Sequence, residues 1–265
     1  NQLKKLGCSC DWSRNRFTMD EDLSKAVIKT FVKLYQKKII YKDTKLVNWD
    51  TKLETAISDL EVEQKEVQSN LYYIKYQIEN EDNFLTIATT RPETMLGDTA
   101  VAINPNDHRY KKYIGKKIIV PIVERKVKII ADKYVSIEQG SGALKVTPAH
   151  DFNDFEIGKR HKLEFISIFE KNGTLNKNAP KELIGLDRFD VRNRIVKILK
   201  ERKLLEKIES IKNAVPHGDR SNSIIEPLLT EQWFADASFL SKKAIQIVKK
   251  KKTNFFPSNW SKTYF

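Results

Sequence analysis

The chain is poor in the residues that close disulfides or bind metals. Its 265 residues include 2 Cys and 4 His. Cys8 and Cys10 are separated by one residue, a spacing that suits neither a zinc knuckle nor a disulfide framework. Free thiols in a reducing cytosol, and hence a cytoplasmic location, are the expectation. His150, Asp151, Asp154 and His161 form a short run that invites a metal reading. Their spacing matches no recognised zinc pair, and His108 and His217 are scattered, so no metal is expected. No apolar run approaches a membrane span and the N-terminus is not a signal peptide, so no membrane partner is expected. P-loop and dinucleotide fingerprints are missing, no Ser-His-Asp set is visible from spacing, and there is no internal repeat or low-complexity tract.

What is present is positive charge and enough apolar material for a core. The chain is 40% hydrophobic, and Lys and Arg total 48 against 35 Asp and Glu, a formal charge of +13. That balance favours an anionic partner, most often nucleic acid; lysine enrichment from genome composition is the alternative. Both ends break off mid-pattern, at Asn1 and at Tyr264-Phe265, so the chain is expected to be a piece of something longer.

Residues 1–55 read as helical. Thr18-Met19-Asp20-Glu21 has the form of a capping box, and Leu23, Val27, Phe31, Leu34 and Tyr35 follow at helical spacing. Leu46–Asp50 reads as a short strand or turn. From about Leu60 the period shifts toward strands, predicted at 71–78, 84–90, 99–103, 118–123, 127–131, 143–146 and 165–169. So many short strands with few helices between them suggest a closed or nearly closed barrel. A basic amphipathic helix is predicted over about 186–205, with Val191, Ile195, Ile198 and Leu199 on its buried side. Arg188, Arg192, Arg194, Lys197 and Lys200 line the rest, where a merely solvated face is the default. Pro216–Ser221 reads as a loop, and a further helix spans about 238–249.

The chemistry concentrates in two stretches. Gly140–Asp154 begins with a Gly-Ser-Gly turn, continues as a short apolar strand over 143–146, stops at Pro148 and opens a helix capped by Asp151. Lys145 and Thr147 are two apart and share a strand face, while Asp151 and Asp154 are three apart and share a helix face. One small volume thus receives an ammonium, a hydroxyl and carboxylates. Thr89–Asp98 sets threonines and Arg91 at a strand end, where Pro92 forces the chain out of its ladder. Hydroxyls there can bind an ester or orient a water; by itself an ordinary turn explains them equally well.

Taken together, TTRPETMLGDTAVAINP at 89–105 and GSGALKVTPAHDFNDFEIGKRH at 140–161 resemble the editing domain of valyl-tRNA synthetase. The likeness continues at 6–27, 46–63, 185–196 and 215–234, nearly the whole chain. The leucyl pattern tends to carry Asp at the place of Glu93 and lacks the run Gly97–Ala102; the isoleucyl pattern has a Trp-Thr pair after the proline. Both differences favour the valyl family. His-x-Gly-His and Lys-Met-Ser-Lys-Ser, the ATP-site signatures, do not occur, so no amino-acid activation is expected here. ATP and Mg are expected only for the rest of the parent.

The resemblance implies a β-barrel-centred α+β domain with peripheral helices and helical flanks. Its expected boundaries are a linking flank at 1–59, the editing barrel at 60–215 and a returning flank at 216–265. It implies hydrolysis of mischarged threonyl-tRNA(Val), with tRNA and the rest of the synthetase chain as partners. Threonine and valine are nearly isosteric, so an apolar pocket rejects threonine poorly; this pair is the standard illustration of that limit. By the family pattern Lys145, Thr147, Asp151 and Asp154 carry the chemistry, with Thr89, Thr90, Arg91, Thr94, Gln139 and His150 beside the substrate. Asp154 is the expected partner of the substrate's hydroxyl or ammonium group, and Lys145 and Arg91 meet developing negative charge. A water oriented by Asp151 or a threonine is the expected nucleophile. Two departures stand out: Gln139 replaces a common aromatic before the Gly-x-Gly turn, and Ser141 replaces a threonine. His217-Gly218-Asp219-Arg220 stands where some relatives have a zinc knuckle. The alternative from another class is a tRNA-docking module without turnover, which the basic helix supports equally.

Overall fold

The computed structural model describes residues 2–264; Asn1 and Phe265 lie outside the described residues. Its elements run α1 (Gln2–Lys5), α2 (Glu21–Gln36), β1 (Ile40–Asp50), β2 (Thr55–Ile57), β3 (Val62–Ile78), β4 (Phe84–Thr89) and β5 (Ala100–Ile103). They continue with β6 (Lys117–Val120), β7 (Arg125–Ala131), β8 (Ala143–Val146), α3 (Phe152–His161), α4 (Arg188–Glu201), β9 (Leu205–Gly218), β10 (Glu226–Ala235), α5 (Ala237–Lys249) and α6 (Ser261–Tyr264). Two compact units result, one of residues Thr44–Thr230 and one of the chain up to Asp43 together with that from Glu231.

The larger unit is built on a curled sheet in the order β4-β3-β6-β7-β5-β8, with β9 added along β3. All ladders are antiparallel except β5 with β7. The curl brings the outer strands β4 and β8 alongside each other, and no ladder joins them among the described residues. The expected barrel is therefore a half-barrel. Gly140 stands where these edges meet: its φ is +59°, and a Cβ there would lie 2.9 Å from the Cβ of Ala88. A side chain is thus both strained and obstructed at that position. Inside the curl, Ile74, Tyr76, Ile78, Leu85, Ile87, Val101, Ile103 and Ile118 are fully buried. Helix α4 covers this core with Val191, Ile195 and Leu199, while Ile198, expected beside them, is only partly buried.

Several elements differ from the sequence reading. The helical expectation for 1–55 ends at Gln36, and a strand runs from Ile40 to Asp50. Thr18 does not cap α2; Asp20 occupies the N-cap without a side-chain bond to the helix, and a capping box forms instead at Ser58 and Glu61. The strand expected at 165–169 reduces to one bridge, Phe169 with Leu175. Pro216–Gly218, read as loop, completes β9. In the smaller unit Phe31 and Tyr35 of α2 meet the Trp233 ring edge-on at 5.2 and 5.8 Å, and no residue of α2 or α5 is buried. No helix of the described residues is long and apolar enough to cross a membrane.

Candidate functional site

The first turn of α3 follows β8 by only five residues, so the end of a core strand and a helix N-terminus converge on the mouth of the half-barrel. Asp151 is the N-cap, its carboxylate accepting from the amides of Asn153 at 2.8 Å and Asp154 at 3.1 Å. Asp154 turns inward, and its Oδ2 accepts from the Thr147 amide at 2.8 Å. From the other edge, the 3-10 turn Pro92–Gly97 after β4 presents Thr94. A cavity of about 190 Å³ lies between them, lined by Thr89, Thr90, Arg91, Thr94, Lys145, His150, Asp151 and Asp154, with Tyr134 and Asn153 at its edge. Most of the residues singled out from sequence thus share one small space. Thr147 lies just beneath it, 2.6 Å from Lys145 Nζ. Gln139 is exposed and lines neither this cavity nor the larger one described below.

Under the cavity floor is a buried hydrogen-bonded node. Lys145 Nζ donates to Thr94 Oγ1 at 2.7 Å and to Thr147 Oγ1, and stands 3.4 Å from Asp98 Oδ1. Thr147 donates to Asp98 at 2.5 Å, and the Tyr76 hydroxyl donates to its other oxygen at 2.7 Å. Gly97 lets this node close: a Cβ there would meet the Ile166 carbonyl at 2.9 Å and the Thr147 methyl at 3.1 Å. Burial raises the carboxyl of Asp98, against Lys145 and the two hydroxyls. Burial also raises Asp154, to about 7; Lys145 opposes the rise while Asp151 and Asp98 add to it. The carboxyl facing the cavity therefore changes charge near neutrality.

A second cluster adjoins the cavity through Arg91 and His150. Arg91 Nη2 donates to both carboxylate oxygens of Glu226 at 2.6 Å, while its Nη1 reaches the His150 carbonyl at 3.1 Å and its Nε reaches Glu93 at 3.3 Å. Most of its five N–H donors are thereby occupied within the protein. Arg188 also holds Glu226, at 3.1 Å, and Arg192 grips Glu93 at 2.7 and 2.8 Å. Burial opposes ionisation of Glu226, but Arg91 leads the groups that overcome it and hold its carboxyl at about 2. Glu93 is likewise lowered, against burial, through Arg192 and Arg91. His150 Nε2 accepts from the Ile168 amide at 2.9 Å, so the neutral ring carries its proton on Nδ1, 3.6 Å from Glu226 and beyond hydrogen-bond reach. Burial lowers its pKa, which keeps the ring neutral despite Glu226.

Arg91, Arg188, Arg192 and Glu226 also line a larger cavity, of about 1040 Å³, together with Phe152, Phe189 and the ladder of β3 with β9. Thr90, Arg91 and Asp151 belong to both cavities and form the threshold between them. Three guanidiniums, of Arg91, Arg188 and Arg192, and three carboxylates, of Asp59, Asp151 and Glu226, line the larger cavity. Sequence reasoning missed Glu226, Glu93 and Asp98 as site residues and took Arg188 and Arg192 for a solvated face. Arg188 is 3% exposed. The only signal was an arginine flanking the buried stripe of α4. Among the described residues no group of three or more His, Cys, Asp or Glu is arranged to hold a metal, and Cys8 and Cys10 are exposed free thiols.

The profile of the class I tRNA synthetases (I, L, M and V) matches residues 1–265. The chain is 68% identical over 265 residues to a valine–tRNA ligase of Pelagibacter ubique, an alignment spanning all of this chain and 30% of that one. It is 56% identical over 287 residues to a valine–tRNA ligase of Bradyrhizobium diazoefficiens, again 100% of this chain and 30% of the relative. A solved LeuRS of Agrobacterium radiobacter, in ternary complex with tRNA and LeuAMS, superposes with a TM-score of 0.43 at 17% identity, covering 80% of this chain and 35% of that one. The chain thus spans under a third of the length of these curated relatives.

Proposed function

Because the chain belongs to the class I tRNA synthetases (I, L, M and V), we propose that it is the editing part of a valyl-tRNA synthetase and hydrolyses threonyl-tRNA(Val). The observation that carries this is the pair of cavities joined at Thr90, Arg91 and Asp151. The larger suits the terminal nucleotide of a tRNA, with guanidiniums for phosphate and Phe152 and Phe189 for a base. The smaller suits an aminoacyl group, so the ester joining the two lies at the threshold. Water adds to the ester carbonyl, the bond to the ribose oxygen breaks, and free threonine and a tRNA hydroxyl leave; nothing is oxidised or reduced. Lys145 is the cation nearest the developing oxyanion. Asp154, ionised near neutrality, accepts from the threonine hydroxyl, where valine offers only a methyl, or from the α-ammonium group that both share. Amino-acid activation, with ATP and Mg, belongs in this reading to the remainder of the parent.

The decisive experiment is deacylation by the isolated chain. Threonyl-tRNA(Val) is expected to be cleared and valyl-tRNA(Val) spared. Binding of tRNA is expected to weaken steeply with salt, because the chain carries a formal charge of +13. Tight, salt-dependent binding without turnover would replace this reading with the docking module.

A further inference from the structure

Asp98 does not line either cavity, yet the polar groups of the smaller cavity's floor converge on it. It is fully buried. Two hydroxyl donors, Thr147 at 2.5 Å and Tyr76 at 2.7 Å, and the Lys145 ammonium at 3.4 Å surround its carboxyl. A carboxylate accepts all of these, whereas a carboxylic acid would bring a proton of its own. The single proton of the Thr147 hydroxyl is therefore committed to Asp98, and the lone pairs of that oxygen face Lys145 Nζ at 2.6 Å. Thr94 is set in the same way: its hydroxyl donates to the Arg91 carbonyl at 3.0 Å and accepts from Lys145 at 2.7 Å. The ammonium sits on two oriented acceptors and makes a longer contact, 3.4 Å, to Asp98, while Lys145 itself lines the smaller cavity.

We propose that Asp98 is a positioning residue that acts through Thr147 to fix the Lys145 ammonium on the cavity wall, facing the ester oxygen. Thr147, on this account, gives no proton to substrate; it is the link between an internal anion and the working cation. The catalytic half of the inference rests on the aminoacyl-ester reading. The geometric half does not.

The test separates the two halves. In the whole chain labelled with 15N-lysine, the Lys145 ammonium should give a slowly exchanging signal, assigned by its loss in Lys145→Met. Asp98→Asn should abolish that signal while the backbone amide spectrum stays dispersed. If that variant does not fold, Thr147→Val, which removes only the linking hydroxyl, carries the same expectation. On threonyl-tRNA(Val), kcat should fall on the order of tenfold, less than the roughly 10²–10³ typical of losing an oxyanion donor itself, with KM little changed. In a Lys145→Met background Asp98→Asn should add nothing, since both changes remove one unit. An ammonium signal absent from the parent, or unchanged in the folded variants, overturns the proposal, as do costs that add across the double variant. A parent with no deacylase activity rejects the functional reading and leaves the ammonium signal to decide the positioning.

Discussion

The two buried polar clusters use similar residue types to opposite ends. Around Glu226 and Glu93, each carboxylate is held by guanidiniums: Arg192 forks onto Glu93 through two nitrogens, and Arg91 Nη2 spans both oxygens of Glu226. Both carboxyls are held below their ordinary range, and this cluster keeps its charge throughout neutral pH. Around Asp98 and Asp154, a single ammonium serves two carboxyls, and burial raises both. The first cluster is a clasp between the turn after β4, helix α4 and the start of β10. In the second, Asp154 carries charge that answers to pH, and it lines the cavity. Paired charge fixes a fold; under-paired charge, held in place by hydroxyls, is available for chemistry.

Removing an anion from the clasp tests this contrast most severely. Glu226→Gln strands Arg91 and Arg188 in the interior and is expected to cost about 3–5 kcal/mol, read by urea denaturation at pH 7. The parent should show the matching acid response. A carboxyl held at about 2 in the folded chain contributes stability that is complete above the ordinary glutamate range and is lost as pH falls toward 2. Stability that drifts between pH 6 and 8 through this group would erase the distinction between the clusters.

Asp154→Asn should act in the other direction. With its folded value near 7, ionisation of Asp154 penalises the folded state progressively from about pH 4 to 7. Asparagine removes that penalty and still accepts from the Thr147 amide. The variant should be more stable than the parent at pH 8, by on the order of 4 kcal/mol, and equal to it near pH 4. It should clear threonyl-tRNA(Val) poorly, whereas the parent rate should climb with pH through about 7. A variant that is less stable at pH 8 and still active would show that Asp154 is structural.

Asp151→Ala tests a smaller effect. Loss of the two amide bonds at the α3 N-terminus is expected to cost about 0.5–2 kcal/mol, measured by thermal melting at pH 7. At the low end, Gln139→Ala should change stability by no more than about 0.5 kcal/mol and leave deacylation as it was. A marked loss of activity there would bring the exposed turn at 139–142 back into the site.

The legibility of the chain follows the same division between matched and unmatched signals. Strand β8 and helix α3 could be read because Pro148 and Asp151 punctuate them, and α4 because its apolar residues keep helical spacing. The first half of β3, VEQKEVQSN, and most of β9, LEKIESIKNA, could not. Their Glu, Lys and Gln content favours helix, and their burial is slight because both faces of the ribbon meet solvent. Only the long ladder from Val62 with Gly218 to Ile74 with Leu205 makes them strands. In the site, Lys145, Thr147 and Asp154 stood out because they are neighbours in sequence. Glu226 and Asp98 did not, since their partners Arg91, Arg188, Tyr76 and Lys145 come from distant segments.

That ladder also sets an order of events as the chain leaves the ribosome. Hairpins β3–β4 and β6–β7 and the pairing of β5 with β8 join segments that emerge soon after one another. The small cavity, whose lining ends at Asp154, can thus assemble from segments synthesised before β9. The wall of the large one needs β9 and Glu226, and Val62 must wait for Gly218. Closing so long a loop is slow compared with hairpin formation. During that interval Arg91 has no Glu226, and the polar half of β3 is an unpaired edge. Its glutamates and lysines, useless as a strand signal, are what keep a nascent edge from pairing with a neighbouring chain.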